Sequence, residues 1–172
     1  MSYNNKEEYD EQVRAFQEKY PDFKPAKDIE SLNLSMIRKN AKEILEGKKK
    51  VEYRAYTDHY IGRLFDRNVL DFMKAHEGEE DVEQAISDGI VDPLRMVRSI
   101  HFHDYNNSWY LDVEVLVNDS ISLKKEDMDM LHSEYDSHDL DSAFKSLEVQ
   151  KAKERPLYFF FVVGDVIGTN LK

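Results

Sequence analysis

The sequence predicts an α+β fold: a helical N-terminal half, a small, mostly antiparallel sheet with a central hairpin at about 94–117, two helices and a closing C-terminal strand. Three observations predict it. Ile61, Leu64, Phe65, Asn68, Val69, Phe72 and Met73 recur at helical spacing, so the stretch 60–76 offers one face to a core. Trp109, Leu111, Val113, Val115 and Val117 alternate with Tyr110, Asp112, Glu114 and Leu116, the period of a half-buried strand. Leu157–Val163 is apolar throughout, as an interior strand covered on both sides is expected to be.

Each element follows in order. Lys6–Lys19 reads as a helix with Tyr9, Val13 and Phe16 on one face, ended by Tyr20-Pro21 because a residue before proline leaves the helical region. A loop containing Pro25 follows. Ser35 is the expected N-cap of a helix to Glu46, carrying Met36, Ile37, Ala41, Ile44 and Leu45, with Gly47 at the position past its C-cap. Alternation in Val51–Thr57 favours a strand, with a helical start as the alternative. The helix Tyr60–His76 closes at Gly78, a short acidic helix Glu79–Ser87 ends at Gly89, and Asp92-Pro93 turns the chain into the sheet. Met96, Ile100 and Phe102 supply the apolar face of Leu94–His103, and Asp104–Asn107 forms the turn, since Asn tolerates positive φ. Two charged helices are expected near Lys124–Ser133 and Asp139–Lys151. Without a repeat, low-complexity tract or linker, 1–172 reads as one domain, 1–34 being a candidate helical extension.

Composition excludes several function classes. The 172 residues are 41% hydrophobic and contain no cysteine, so disulfides, zinc–thiolate sites and a cysteine nucleophile are absent. Net charge is −11, which opposes direct binding to nucleic acid. Lys48, Lys49 and Lys50 form a local basic patch, read as a solvated connection. Met1–Asp10 has no apolar signal core, and the longest apolar run falls far short of the ~20 residues of a membrane helix. A cytoplasmic or intravirion protein without membrane contact is expected. Gly164–Thr169 fails as a phosphate loop because only Asn170, Leu171 and Lys172 follow and Asp165 repels an anion. No G-x-S-x-G elbow is present.

One face of the hairpin gathers chemistry. A four-residue turn would set His103 opposite Ser108, His101 opposite Tyr110, Ser99 opposite Asp112 and Val97 opposite Glu114. Any turn of even length keeps every side chain on its face. His101, His103, Asp112 and Glu114 therefore share one side, a candidate divalent-metal or acid–base set. The alternative is an ordinary solvent-facing polar strand surface. His132 and His138 flank Glu134, Tyr135 and Asp136, and read as surface histidines unless their helix covers that face. His59 and His76 bracket the apolar helix, and His76 suits its C-terminal dipole.

The acidic residues are a second candidate. Residues 58–93 carry 3 basic and 10 acidic side chains, net −7. Asp71, Glu77, Glu79, Glu80, Asp81, Glu83 and Asp88 form the candidate partner-binding set, matched to a basic groove such as that of a nucleic-acid-binding protein. The alternative is a solubilising acidic surface. Three function classes follow. The preferred one is a non-enzymatic, cofactor-free protein-binding module: an inhibitor, immunity or accessory protein of a kind that phages and mobile elements encode. The second is a metal-assisted hydrolase using the hairpin face. The third is a structural subunit: Tyr158 and Phe160 lie on one face of the last strand, and Leu157, Phe159 and Phe161 on the other. A row left uncovered would serve a homodimer.

Overall fold

A computed structural model describes residues 6–172. Helix α1 (Lys6–Lys19) occupies the expected residues. Strand β1 (Leu32–Ser35) lies where a loop and an N-cap serine were expected. Only Leu32 and Leu34 are buried in it, an alternation too short to read as a strand. Helix α2 (Arg38–Leu45) consequently opens later, at Ile37, and Gly47 follows it at φ +76°. Val51–Ala55 is strand β2, the first of its two readings.

The expected helix Tyr60–His76 is two helices, α3 (Asp58–Leu64) and α4 (Arg67–Ala75). Asp66 breaks it. Its backbone is extended and its side chain accepts hydrogen bonds from the Asn68 and Val69 amides, so it caps α4. Phe65 forms an isolated bridge with Leu94 at the same place. Periodicity misses the break because apolar spacing continues through it. Helix α5 (Glu80–Ser87) comes next.

The hairpin is shorter at its start and longer at its end than expected: β3 is Ser99–His103 and β4 is Tyr110–Ser122. Leu94–Arg98 is not strand; the Arg95 amide bonds the Leu64 carbonyl, and the Val97 amide bonds the buried Asn118 side chain at 2.9 Å. The ladder pairs His103 with Tyr110, His101 with Asp112 and Ser99 with Glu114. That register is two residues away from the one a four-residue turn gives. Asp104 organises the longer connection, accepting from the Ser108 amide at 2.7 Å and from its hydroxyl, while Asn107 takes φ 54°. Parity survives because the connection is still even. Helices α6 (Lys125–Tyr135) and α7 (Asp141–Val149) precede strand β5 (Leu157–Thr169).

Together these elements make an α+β fold with one five-stranded mixed sheet among the described residues, ordered β1-β3-β4-β5-β2. Only the β1–β3 pair is parallel. The described chain divides into two compact units, one through Asp28 plus Ile61–Met96, the other Ile29–Tyr60 plus Val97–Lys172. In the first, α1, α4 and α5 bury Val13, Val69, Phe72, Val82 and Ala85 together with Phe23. Phe16 stacks on Tyr20 at 4.9 Å and meets Phe23 edge-on at 5.1 Å. Burial of each large apolar side chain of this kind contributes about 1.5–3 kcal/mol.

In the second unit, Phe160 and Val162 of β5 pack with Val51, Ile121, Leu123, Met128, Leu131 and Leu140. Phe159 and Phe161, on the opposite face of β5, are also buried. Phe159–Val162 are thus covered on both faces of the strand, while Leu157 is exposed and Tyr158 half-buried at its start. The β4–β5 ladder bulges near Val113, Val115 and Val117. Gly164 sits in this region, where a Cβ would come within 2.9 Å of the Leu116 side chain. The missing Cβ leaves that space to the Leu116 side chain.

Candidate functional site

The hairpin places His101 directly across from Asp112, and the His101 Nδ1 is hydrogen-bonded to that carboxylate. Tyr110 stacks on the His101 ring at 5.8 Å between centroids. His103 Nδ1 donates to the Asp104 carbonyl at 2.8 Å, and its ring lies 5.7 Å from the His101 ring. Glu114 is exposed beside Ser99, further along the ladder. The expected common face therefore exists, but it delivers one His–carboxylate pair.

The acidic residues are all exposed and follow one short path through the first unit. Asp71 lies on α4, Glu77 in the connection, Glu79 at the cap of α5, Glu80, Asp81 and Glu83 in its first turn, and Asp88 at its end. Carboxylates in that first turn suit the positive end of the helix dipole. Three cationic side chains meet them: Lys19 pairs with Asp81, Arg67 reaches Asp71 at 3.8 Å, and His76 Nδ1 bonds Glu79 at 2.5 Å. His76 Nε2 also faces Asp22 at 3.0 Å. The hydrogen bond to Asp22 raises the His76 pKa against the opposing effect of burial, with Glu79 adding to the rise.

A third cluster lies at the α6–α7 junction. Asp136 takes φ 48° as it ends α6, which turns the chain so that Asp141 opens α7 beside the end of α6. His132 Nε2 approaches Asp141 Oδ1 at 2.6 Å, and His138 Nδ1 approaches Oδ2 at 3.1 Å. The second nitrogen of His138 lies 2.9 Å from Asp136 Oδ1. An ionised carboxylate only accepts, so both nitrogens of His138 carry protons in this arrangement. Hydrogen bonds to Asp136 and then Asp141 raise the His138 pKa accordingly. Partial burial pushes the other way on Asp141, but bonds from both histidines hold its carboxyl below the ordinary value. The two imidazole rings stack at 4.5 Å. Among the described residues, this is the place where three His or carboxylate ligand atoms lie within 4.8 Å of one another.

Beside β2 lies a cleft of about 400 Å³, lined by Met36, Asn40, Glu52, Tyr53, Arg54 and Tyr105. Its charges satisfy one another. Glu52, itself buried, is 3.7 Å from Lys49 and 3.1 Å from Arg54. Arg54 also donates to the Ser35 carbonyl and the Tyr60 hydroxyl. Lys49 reaches Asp139 at 2.6 Å with only 10% of its side chain exposed, so the basic run 48–50 is not a uniformly solvated patch. The Tyr53 hydroxyl lies 2.6 Å from Ser137 Oγ.

Sequence reasoning singled out His132 and His138 but not Asp141. The signal was the spacing His132–His138–Asp141 across a helix end, and it becomes readable only once Asp136 is known to turn the chain. The chain matches no protein-family model, no curated protein and no solved structure. No described helix is long and apolar enough to cross a membrane.

Proposed function

We propose that this protein is a non-enzymatic binding module whose acidic first unit engages a protein partner through a basic surface. The observation that carries the reading is the exposed path Asp71–Glu77–Glu79–Glu80–Asp81–Glu83–Asp88, met by only three cationic side chains among the described residues. Glu77 and Glu80 have no ion pair there. Unneutralised like charge on rigid helices gives a directional field that speeds encounter with a basic partner and excludes acidic ones. A groove built to hold nucleic acid has that complementary charge. An inhibitor, immunity or accessory role in the cytoplasm suits such a surface and a chain free of cysteine.

The test is capture of partners by the full-length protein across a salt series, beside a variant with Glu80→Gln, Asp81→Asn and Glu83→Gln. The expected result is a basic partner whose capture weakens with salt and with the triple substitution. Capture indifferent to both would overturn the reading. Sedimentation at several concentrations separates it from self-assembly, which would appear as a concentration-dependent homodimer.

A further inference from the structure

We propose that His132, His138 and Asp141 form a binding site for one divalent transition-metal ion of the zinc, nickel or cobalt class. The site is independent of the acidic surface and lies wholly within the second unit. Two imidazole nitrogens and a carboxylate oxygen suit borderline cations; magnesium and calcium prefer all-oxygen shells.

The spacing fits an ion. Metal–ligand bonds of about 2.0–2.2 Å set neighbouring ligand atoms roughly 3–3.5 Å apart. Here His132 Nε2 is 2.6 Å from Asp141 Oδ1 and His138 Nδ1 is 3.1 Å from Oδ2, and one ligand atom from each residue lies within 4.8 Å of the other two. Small side-chain shifts bring all three atoms round one centre. On binding, His138 releases its Nδ1 proton to solvent, His132 ligates through Nε2 as the tautomer with its ring proton on Nδ1, and the ion takes the place of those two hydrogen bonds. His138 keeps the proton on Nε2, which stays bonded to Asp136 at 2.9 Å. That outer carboxylate fixes the ring's orientation and increases its basicity, as it does in established histidine–metal sites.

The support beneath the site is part of the buried core. Met128 and Leu131 of α6 and Leu140 before α7 are buried in one cluster with the β5 side chains Phe160 and Val162. The ligand side chains themselves are 37%, 55% and 41% exposed for His132, His138 and Asp141. An ion can therefore enter from solvent and retain water at its remaining positions.

Calorimetric titration of the full-length, metal-stripped protein with Zn²⁺ and Ni²⁺ tests the site, alongside nitrogen NMR of the histidine rings. One ion per chain is expected, with Zn²⁺ moving the imidazole nitrogen signals of His132 and His138 and leaving those of His101 and His103 in place. His138→Ala and Asp141→Asn should each weaken binding at least tenfold, while a His101→Ala/His103→Ala double variant keeps it. The NMR readout on the unmodified chain stands even if a variant folds poorly. Absence of binding, unmoved His132 and His138 signals, or undiminished binding by well-folded variants would each overturn the site.

Discussion

His101 and Asp112 occupy directly opposed positions of the β3–β4 ladder, and the imidazole donates to the carboxylate across it. Both side chains are 34% exposed, so solvent screens the pair and its contribution is modest. Replacing either residue by alanine should cost about 0.2–1 kcal/mol. In urea unfolding, the double variant should lose scarcely more than either single one, because the same interaction is removed each time. Fully additive losses would show that the two side chains act separately.

Asp66 carries more of the fold. It caps α4 and its other carboxylate oxygen accepts from the Lys27 amide at 3.1 Å. Asp66→Ala should destabilise the protein by about 1–2 kcal/mol, and Asp66→Asn by less, since asparagine also caps. Hydrogen exchange should report the loss first at the Asn68 and Val69 amides.

Tyr53 sets an alkaline limit. Burial pushes its phenol up to about 12, against the bond with Ser137, with Asp139, Asp141 and Glu52 adding to the rise. An acid whose pKa is higher folded than unfolded favours the folded state while protonated. Stability from Tyr53 is therefore complete below the unfolded value near 10 and lost as pH climbs towards about 12. Phenolate absorbance should show a tyrosine titrating in that upper range. Tyr53→Phe should remove this step and cost about 1–3 kcal/mol by leaving the buried Ser137 hydroxyl unpaired.

His76 acts in the opposite pH range. Its pKa is raised above 6.5 by Asp22, then Glu79, against burial. The stabilisation is fully present below 6.5 and disappears as pH rises through the higher folded value. His76→Gln should flatten that part of the stability–pH curve, leaving whatever part His138 contributes. Asp22→Asn should lower the His76 midpoint in an NMR titration; an unchanged midpoint would remove Asp22 as its main cause.

The sequence exposed what depends on long local periodicity. Helix α1, the alternation of β4 and the doubly buried stretch Phe159–Val162 of β5 all follow from patterns several residues long. Strand β1 escaped because four residues carry too little pattern and its partner β3 lies far along the chain. The α3–α4 break escaped because Asp66 acts through its own backbone and carboxylate while the apolar spacing runs on. At the hairpin, parity placed the side chains on the right face, but register depended on Asp104 extending the turn. Asp141 was invisible for a similar reason, since a left-handed residue at Asp136 decides what it meets.

Strand β5 separates β4 from β2, pairing Val51 with Val162 and Ile121 with Tyr158. On the ribosome, β2 emerges roughly a hundred residues before its only neighbour in the sheet. At elongation rates of about 5–20 residues per second, it waits ~5–20 s with both edges open. Loop closure over that distance also makes the pairing slow. The buried Val51 is flanked by Lys49, Lys50, Glu52 and Arg54, the kind of charges that act as gatekeepers against aggregation, and in the folded chain Lys49 and Arg54 pair with Glu52.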